Sequence, residues 1–389
     1  MIKNRIRIVI HESYYQHWAG AQRTGVYLAA GLDKDRFDPV LVTTGEGMLA
    51  DRARQLGVRV RIHVPPFPLN EFGRTLFNRN AWEKVWIACR KVLPYNLAFR
   101  RFLLQEKTDL LVCNTARSTL LLPFIKLMRT CPVVTYLQGA IELGEVIKRT
   151  VRLASDYFVT VSDEIANVYR LREEEYQIVP NGIPPDFTSG FIPQPPIAKA
   201  RGRKWLVAVG NVVPYKGHHE LLEAFACLSK RDSNWDLLIV GSTTENAEWA
   251  GYLKRESKRI GISSRVYWTG WVDDVRPFLS LADLFAMPSH VEGCPYCLME
   301  AMAFGLPFVA TDVSGVKILL GMDGDGIVVP PKDKVALAEG LMAAINRMRS
   351  TPSFGEKNAT RIRSHLSRTA MCEKASQALF SFLRRRNTL

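Results

Sequence analysis

Residues 292–312 read "EGCPYCLMEAMAFGLPFVATD" and contain two chemistries at once. Around its cysteines the segment is C-x-x-C, from Cys294 to Cys297. If it opens a helix, the first thiol has the lowered pKa that redox exchange needs. Around its acids it is Glu292 and Glu300, bracketing Gly293 and Pro295. Pro295 suits a first helical position, and Gly293 and Cys294 then present backbone N–H groups at the helix start, where an anion binds. Carboxylates repel phosphates, so the two acids call for hydroxyl donors, as on a sugar or a ribose. A diphosphate cradle between two sets of hydroxyls describes a nucleotide-sugar.

The surrounding chain favours the acid reading. A glutaredoxin-like domain is short and begins just before its C-x-x-C, whereas here the pair lies deep in a long α/β chain. Neither "LPFVATDVS" nor "GIVVPPKDK" supplies the facing Pro-containing strand such a domain needs. Cys294 and Cys297 are therefore expected to be loop and core residues. A thiol oxidoreductase remains the alternative from a different enzyme class.

Outward from this segment, short apolar runs alternate with helical patterns. "RIRIVIHE", "FDPVLVTTG", "TDLLVCNT", "PVVTYLQG" and "DYFVTVSDE" read as buried strands. "RTGVYLAAGL" reads as a helix carrying Val26, Tyr27, Ala30 and Leu32 on one face. After "FIPQPPIAKARGRK", residues 191–204, the alternation starts afresh with "WLVAVG", "WDLLIVGS", "RVYWTGWV", "LFAMPS" and "PFVATDVS". Such runs indicate parallel sheets covered on both faces. The expected fold class is α/β, two Rossmann-like domains facing across a cleft. The expected boundaries are 1–190, a Pro-rich linker at 191–204, and 205–367, with a terminal helix at about 368–389 packing back on the first domain.

"VAVGNVVPYKGHHELLEAF", residues 207–225, begins the second domain with a strand, a glycine loop and a helix. It is neither G-x-G-x-x-G nor a Walker loop, because Lys216 precedes its glycine. Gly210 and Gly217 still allow close backbone approach, and Lys216 can bring a point charge to a phosphate. His218 and His219 have no matching ligands in sequence and read as helix-start residues, so no metal site is expected.

Taken in order, "VGNVVPYKGHHELLEAF", "VYWTGWVDDV" and "PSHVEGCPYCLMEAMAFGLPFVATDVSG" resemble the retaining glycosyltransferases of family 4, which have the GT-B fold. "GAQRTGVYLAAGL" and "IVPNGIPPDF" resemble the same family's opening glycine loop and pre-hinge segment. The resemblance implies a nucleoside-diphosphate sugar donor held mainly by the C-terminal domain and an acceptor held by the N-terminal one. It implies that Glu292 and Lys216 are the catalytic pair, with Glu292 contacting the transferring sugar and Lys216 stabilising the leaving diphosphate. Glu300 takes the ribose hydroxyls, and the backbone of Gly293, Cys294 and Pro295 supports sugar and phosphate. Gly20, Gln138, Gly210 and Asn211 complete the donor contacts, and the base lies near Gly270, Trp271 and Val272. No cofactor and no metal are implied. The chain departs from the family at Asn211, where Arg is usual, at Gln138, where His is common, and at Ile318, which replaces a Glu beside Lys317. These departures motivate a second alternative, a non-catalytic nucleotide-sugar-binding protein.

The bulk properties fit a folded enzyme. Hydrophobic residues make up 47% and charged residues 23% of 389 positions, and no apolar run is long enough for a membrane span. The N-terminus lacks the pattern of a signal peptide. Seven scattered cysteines argue for a reducing compartment, and the expected location is cytoplasmic. The net charge of +14 divides evenly between the two halves, yet Arg52 to Lys107 carries 12 basic and 3 acidic residues. Within residues 73–104, Trp82, Trp86, Tyr95, Phe99 and Phe102 are interleaved with Arg and Lys. Such a stretch can lie peripherally on an anionic membrane, at the inner face of the plasma membrane, or hold a lipid-linked or glycan acceptor. Its bland counterpart is an ordinary amphipathic helix kinked at Pro94. No nucleic-acid recognition motif accompanies the charge.

Overall fold

A computed structural model describes residues 5–16, 18–69, 81–139, 144–322 and 324–386. The chain forms two compact units, Met1–Pro180 with Arg368–Leu389, and Asn181–Ser367.

The first unit is built on a seven-stranded sheet. Its strands are β1 (Ile6–Glu12), β2 (Phe37–Thr43), β3 (Arg59–Ile62), β4 (Leu110–Cys113), β5 (Val133–Leu137), β6 (Tyr157–Thr160) and β7 (Tyr176–Ile178). They lie in the order β3-β2-β1-β4-β5-β6-β7, every pair parallel. β1, β4 and β5 are buried along almost their whole length on both faces, so alternation gives way to nearly continuous apolar runs. Tyr95, Phe99 and Leu103 of the Leu93–Gln105 helix pack with Val9, Val40 and Leu111 in one core cluster. The Arg368–Arg385 helix also belongs to this unit. Its Cys372 thiol donates to the Tyr27 carbonyl at 3.3 Å, and Phe382 stacks on Tyr157 at 4.9 Å.

The second unit repeats the plan. β8 (Lys204–Val209), β9 (Trp235–Val240), β10 (Val266–Gly270), β11 (Leu284–Met287), β12 (Phe308–Thr311) and β13 (Ile327–Val329) lie in the order β10-β9-β8-β11-β12-β13, again all parallel. Its core gathers Leu206, Phe225, Trp235, Ile239, Leu253 and Leu341. In both sheets the strand order reverses beside the first strand, between β1 and β4 and between β8 and β11. A doubly wound sheet binds its ligand at such a switch point, outside the carboxyl ends of the strands.

Two readings of the sequence change in the structure. The Pro-rich stretch 191–204 falls inside the second unit and is tied down there: Lys199 donates to Asp283 at 2.6 Å and Arg203 pairs with Asp236. The basic aromatic stretch does not present one continuous aromatic face. Tyr95 and Phe99 are buried, whereas Trp82 and Trp86 are 85% and 55% exposed. Pro94 follows a five-residue π-helical stretch, Ala88–Val92, and sits in the first turn of Leu93–Gln105, so the helical path is not broken there. Residues 73–80 of that stretch lie outside the described residues.

Candidate functional site

The second unit's switch point collects the residues singled out above. β8 ends at Val209 and delivers Gly210 and Asn211, and β11 ends at Met287 and delivers Ser289 and Glu292. A 3-10 turn at Pro214–Lys216 ends in Gly217, from which the His218–Arg231 helix departs. Gly217 has φ 68°, and a Cβ there would stand 1.9 Å from the Pro288 carbonyl oxygen. Only glycine lets this loop meet the β11 loop so closely.

That approach brings Lys216 to Glu292. Lys216 Nζ donates to Glu292 Oε1 at 2.6 Å, and Ser289 Oγ donates to the same oxygen at 2.7 Å. The two charged side chains are only 18% and 13% exposed. Burial disfavours the ammonium, but the Glu292 carboxylate outweighs it and holds the lysine above its ordinary pKa. Lys216 is thus a fixed positive charge. His218, next along the helix, is fully buried, and burial together with Lys216 pulls it down to about 3, so it is a neutral side chain.

The helix after Glu292 runs Tyr296–Ala303, with Pro295 as its N-cap and not its first helical residue. Gly293, Cys294 and Pro295 form the buried approach to it, and the Cys294 carbonyl accepts from Asn181 Nδ2 at 3.1 Å. Gly315, at φ 83°, backs this approach: a Cβ on it would lie 2.1 Å from the Gly293 oxygen. Glu300 is one turn into the helix and 3% exposed. Both thiols of the C-x-x-C are free, and burial pushes Cys294 and Cys297 up to about 12. That is the reverse of the lowered pKa that the redox reading requires, because desolvation outweighs the helix start.

The other expected site residues distribute as follows. Asn211 does not stand free: its Nδ2 donates to Glu245 at 2.7 Å and its Oδ1 accepts from Ser242 N at 3.3 Å. Gly270 closes β10 at φ 73° and accepts from Gly241 N at 3.0 Å, followed by exposed Trp271 and half-buried Val272. Ile318 lies in the short Val316–Leu320 helix, where its carbonyl accepts from Arg361, and exposed Lys317 pairs with Asp312 at 3.4 Å. Gly20 and Gln138 belong to the first unit, Gly20 opening the Gly20–Gly31 helix and Gln138 following β5. Sequence reasoning missed Ser289 and Asn181. The only cues were a Ser directly after "LFAMP" and the Asn of "VPNG". His219, Glu223 and Glu256 bring one ligand atom each within 4.8 Å, but Glu223 pairs with Lys334 and Glu256 with Arg259.

Known proteins match this chain in sequence and in fold. The model of the family described as "Glycosyltransferase Family 4" matches residues 18–187, and that of "Glycosyl transferases group 1" matches residues 203–347. The chain belongs to the family-4 glycosyltransferases. It is 33% identical over 157 residues to an uncharacterized glycosyltransferase of Haemophilus influenzae, covering 40% of this chain and 43% of that protein. It is 31% identical over 156 residues to the lipopolysaccharide core biosynthesis glycosyltransferase LpsE of Rhizobium meliloti, covering 40% and 42%. The matches thus span less than half the length of these relatives. The fold is that of Anabaena HepE in complex with UDP-glucose, at TM-score 0.78 and 16% identity, over 97% of this chain and 100% of that one. WaaG, a glycosyltransferase involved in lipopolysaccharide biosynthesis, superposes at TM-score 0.67 and 18% identity, over 95% and 98%. Family membership and the matching structures make the two parallel-sheet units a GT-B fold.

Proposed function

We propose that this chain is a retaining, metal-independent glycosyltransferase that moves a sugar from a nucleoside-diphosphate sugar to a hydroxyl of a lipid-linked or surface-glycan acceptor. The observation that carries this reading is the Lys216–Glu292 pair at the second unit's switch point, with buried Glu300 on the following helix. Lys216 supplies permanent positive charge where a diphosphate leaves, and pre-set charge of this kind is the largest single source of catalysis in such sites. Glu292 keeps that charge compensated in the free protein and takes a sugar hydroxyl in the complex, while Glu300 takes the ribose. The second unit holds the donor, helped by Gly210, Asn211, Gly293, Cys294, Pro295 and Gly270 to Val272, and the first unit holds the acceptor. LpsE, of lipopolysaccharide core biosynthesis, and WaaG, involved in lipopolysaccharide biosynthesis, support the acceptor class. Exposed Trp82 and Trp86, close to Arg90 and Lys91, support peripheral attachment at the inner face of an anionic membrane. Among the described residues no helix is long and apolar enough to cross a membrane.

A thermal-shift screen with UDP, GDP, ADP and their common sugar conjugates tests the reading. A ligand at about 100-fold its Kd stabilises the fold by about 2.7 kcal/mol. One nucleotide should give that shift in wild type and lose it in Glu300→Ala. Binding with neither transfer nor donor hydrolysis would instead favour the non-catalytic alternative suggested by Asn211, Gln138 and Ile318.

A further inference from the structure

Lys216 is not alone on the Glu292 carboxylate. Ser289 is buried just past β11, and its Oγ donates to Glu292 Oε1 at 2.7 Å. Lys216 Nζ donates to that same oxygen at 2.6 Å. A serine has one hydroxyl hydrogen and a carboxylate paired with an ammonium only accepts, so the direction of the Ser289 bond is fixed.

Ser289 is itself held from behind. Thr311 ends β12, the neighbour of β11, and is buried too. Its Oγ1 donates to the Ser289 carbonyl, with the Met287 carbonyl at 3.3 Å. The next residue pins the other side of the loop. His290 N donates to the Tyr215 carbonyl at 2.8 Å, and His290 Nε2 lies 2.9 Å from Glu220 Oε1 on the His218–Arg231 helix. The backbone that carries Ser289 is thus tied to β12 and to the Lys216 turn, independently of Glu292. A hydroxyl mounted on fixed backbone stays in place when a charge beside it moves away.

One ammonium here serves two anions in turn. In the free protein Lys216 compensates Glu292, and in the complex it faces the leaving phosphate. Drawing it toward phosphate takes the charge partner from a mostly buried carboxylate, which is costly to leave without a donor. The Ser289 bond strengthens at that moment, because a hydrogen bond to an uncompensated charge is worth more than one to a charge already neutralised.

We propose that Ser289, set by Thr311, is a positioning residue that keeps Glu292 in place while Lys216 passes from Glu292 to the donor's diphosphate. This rests on the transferase reading above. All four residues belong to the second unit. Without the Ser289 hydroxyl, a ligand that draws Lys216 away leaves Glu292 without a donor, and a ligand that does not draw it away leaves the pair as it was.

The test is calorimetric titration with UDP and UMP, GDP and GMP, and ADP and AMP, using the pair that wild type binds best. The monophosphate lacks the phosphate that draws Lys216 away and serves as the internal control. Ser289→Ala should weaken diphosphate binding by about 10-fold, one hydrogen bond to a charged group, and leave the monophosphate unchanged. Thr311→Val leaves the Ser289 hydroxyl present but loosens its backbone, and should show the same selective loss to a smaller degree. In a Lys216→Met background, where no ammonium moves, Ser289→Ala should no longer distinguish the two nucleotides. Equal losses on mono- and diphosphate in Ser289→Ala or Thr311→Val would make the hydroxyls structural only and overturn the proposal. So would an unchanged diphosphate affinity in Ser289→Ala, and each of these results leaves the transferase reading in place. A wild type that binds none of the nucleotides overturns both.

Discussion

Lys216 and Glu292 are 76 positions apart in sequence and 2.6 Å apart in space. Neither is exposed enough for water to replace its partner, so removing one strands the other. Glu292→Ala should destabilise the second unit by about 3 kcal/mol, read as a lower urea midpoint. Lys216→Met should cost less, because Glu292 keeps the Ser289 hydroxyl. Lys216→Ala should lower turnover more than donor affinity, which a kcat against KM comparison separates. The raised pKa of Lys216 means that its share of stability persists below the unfolded lysine value of about 10.4 and is lost only as pH rises through the folded one. His218 works in the opposite sense. It is held neutral with a pKa of about 3, whereas the unfolded chain takes up that proton near 6.5. Stability should therefore fall as pH drops below 6.5, by up to about 1.4 kcal/mol per pH unit from this residue. Denaturation between pH 6.5 and 5 should show a flatter slope in His218→Asn than in wild type.

At the scale of elements, the loops that carry the site depend on two glycines. Gly217 lets the Lys216 turn approach Pro288, and Gly315 lets the start of the Val316–Leu320 helix back onto Gly293. Both have positive φ and both face a carbonyl oxygen across a gap too small for a Cβ. Gly217→Ala and Gly315→Ala should each cost at least about 2 kcal/mol, the sum of a left-handed backbone penalty and a forced loop shift. Each should also abolish the nucleotide thermal shift, since the loop that moves is the one that binds. The strand pattern was readable where helices cover both faces, as in "RIVIHE", "WLVAVG" and "WDLLIVGS". β3, β7 and β13 gave no comparable signal. Each has three or four residues at or near a sheet edge, and an edge strand is only half covered and needs no apolar run.

For the whole molecule, the open question is what the basic first unit meets. Trp82 and Trp86 are exposed where an amphipathic helix inside a soluble domain would bury them. Vesicles with phosphatidylserine should co-sediment the protein at low salt, and neutral vesicles should not. Trp82→Ser with Trp86→Ser should reduce that binding several-fold without changing donor hydrolysis. Unchanged sedimentation would mean that the two tryptophans meet something other than lipid.

Much of this protein was determined locally. The family, the repeated α/β alternation and the Glu292–Glu300 segment lie in contiguous stretches, because a βα unit and the glycine loop at its end are made by neighbouring residues. The tertiary structure decided which groups are partners and in what state of charge. Cys294 and Cys297 have the spacing of a redox pair, yet burial raises their thiols and takes them out of that chemistry. Glu12 and Asn114 carry no motif, and they meet each other and Gln138 only because β1, β4 and β5 end side by side. Spacing along the chain shows which residues share an element. Desolvation and pairing depend on what the other elements place around them, and only the folded sheet order supplies that.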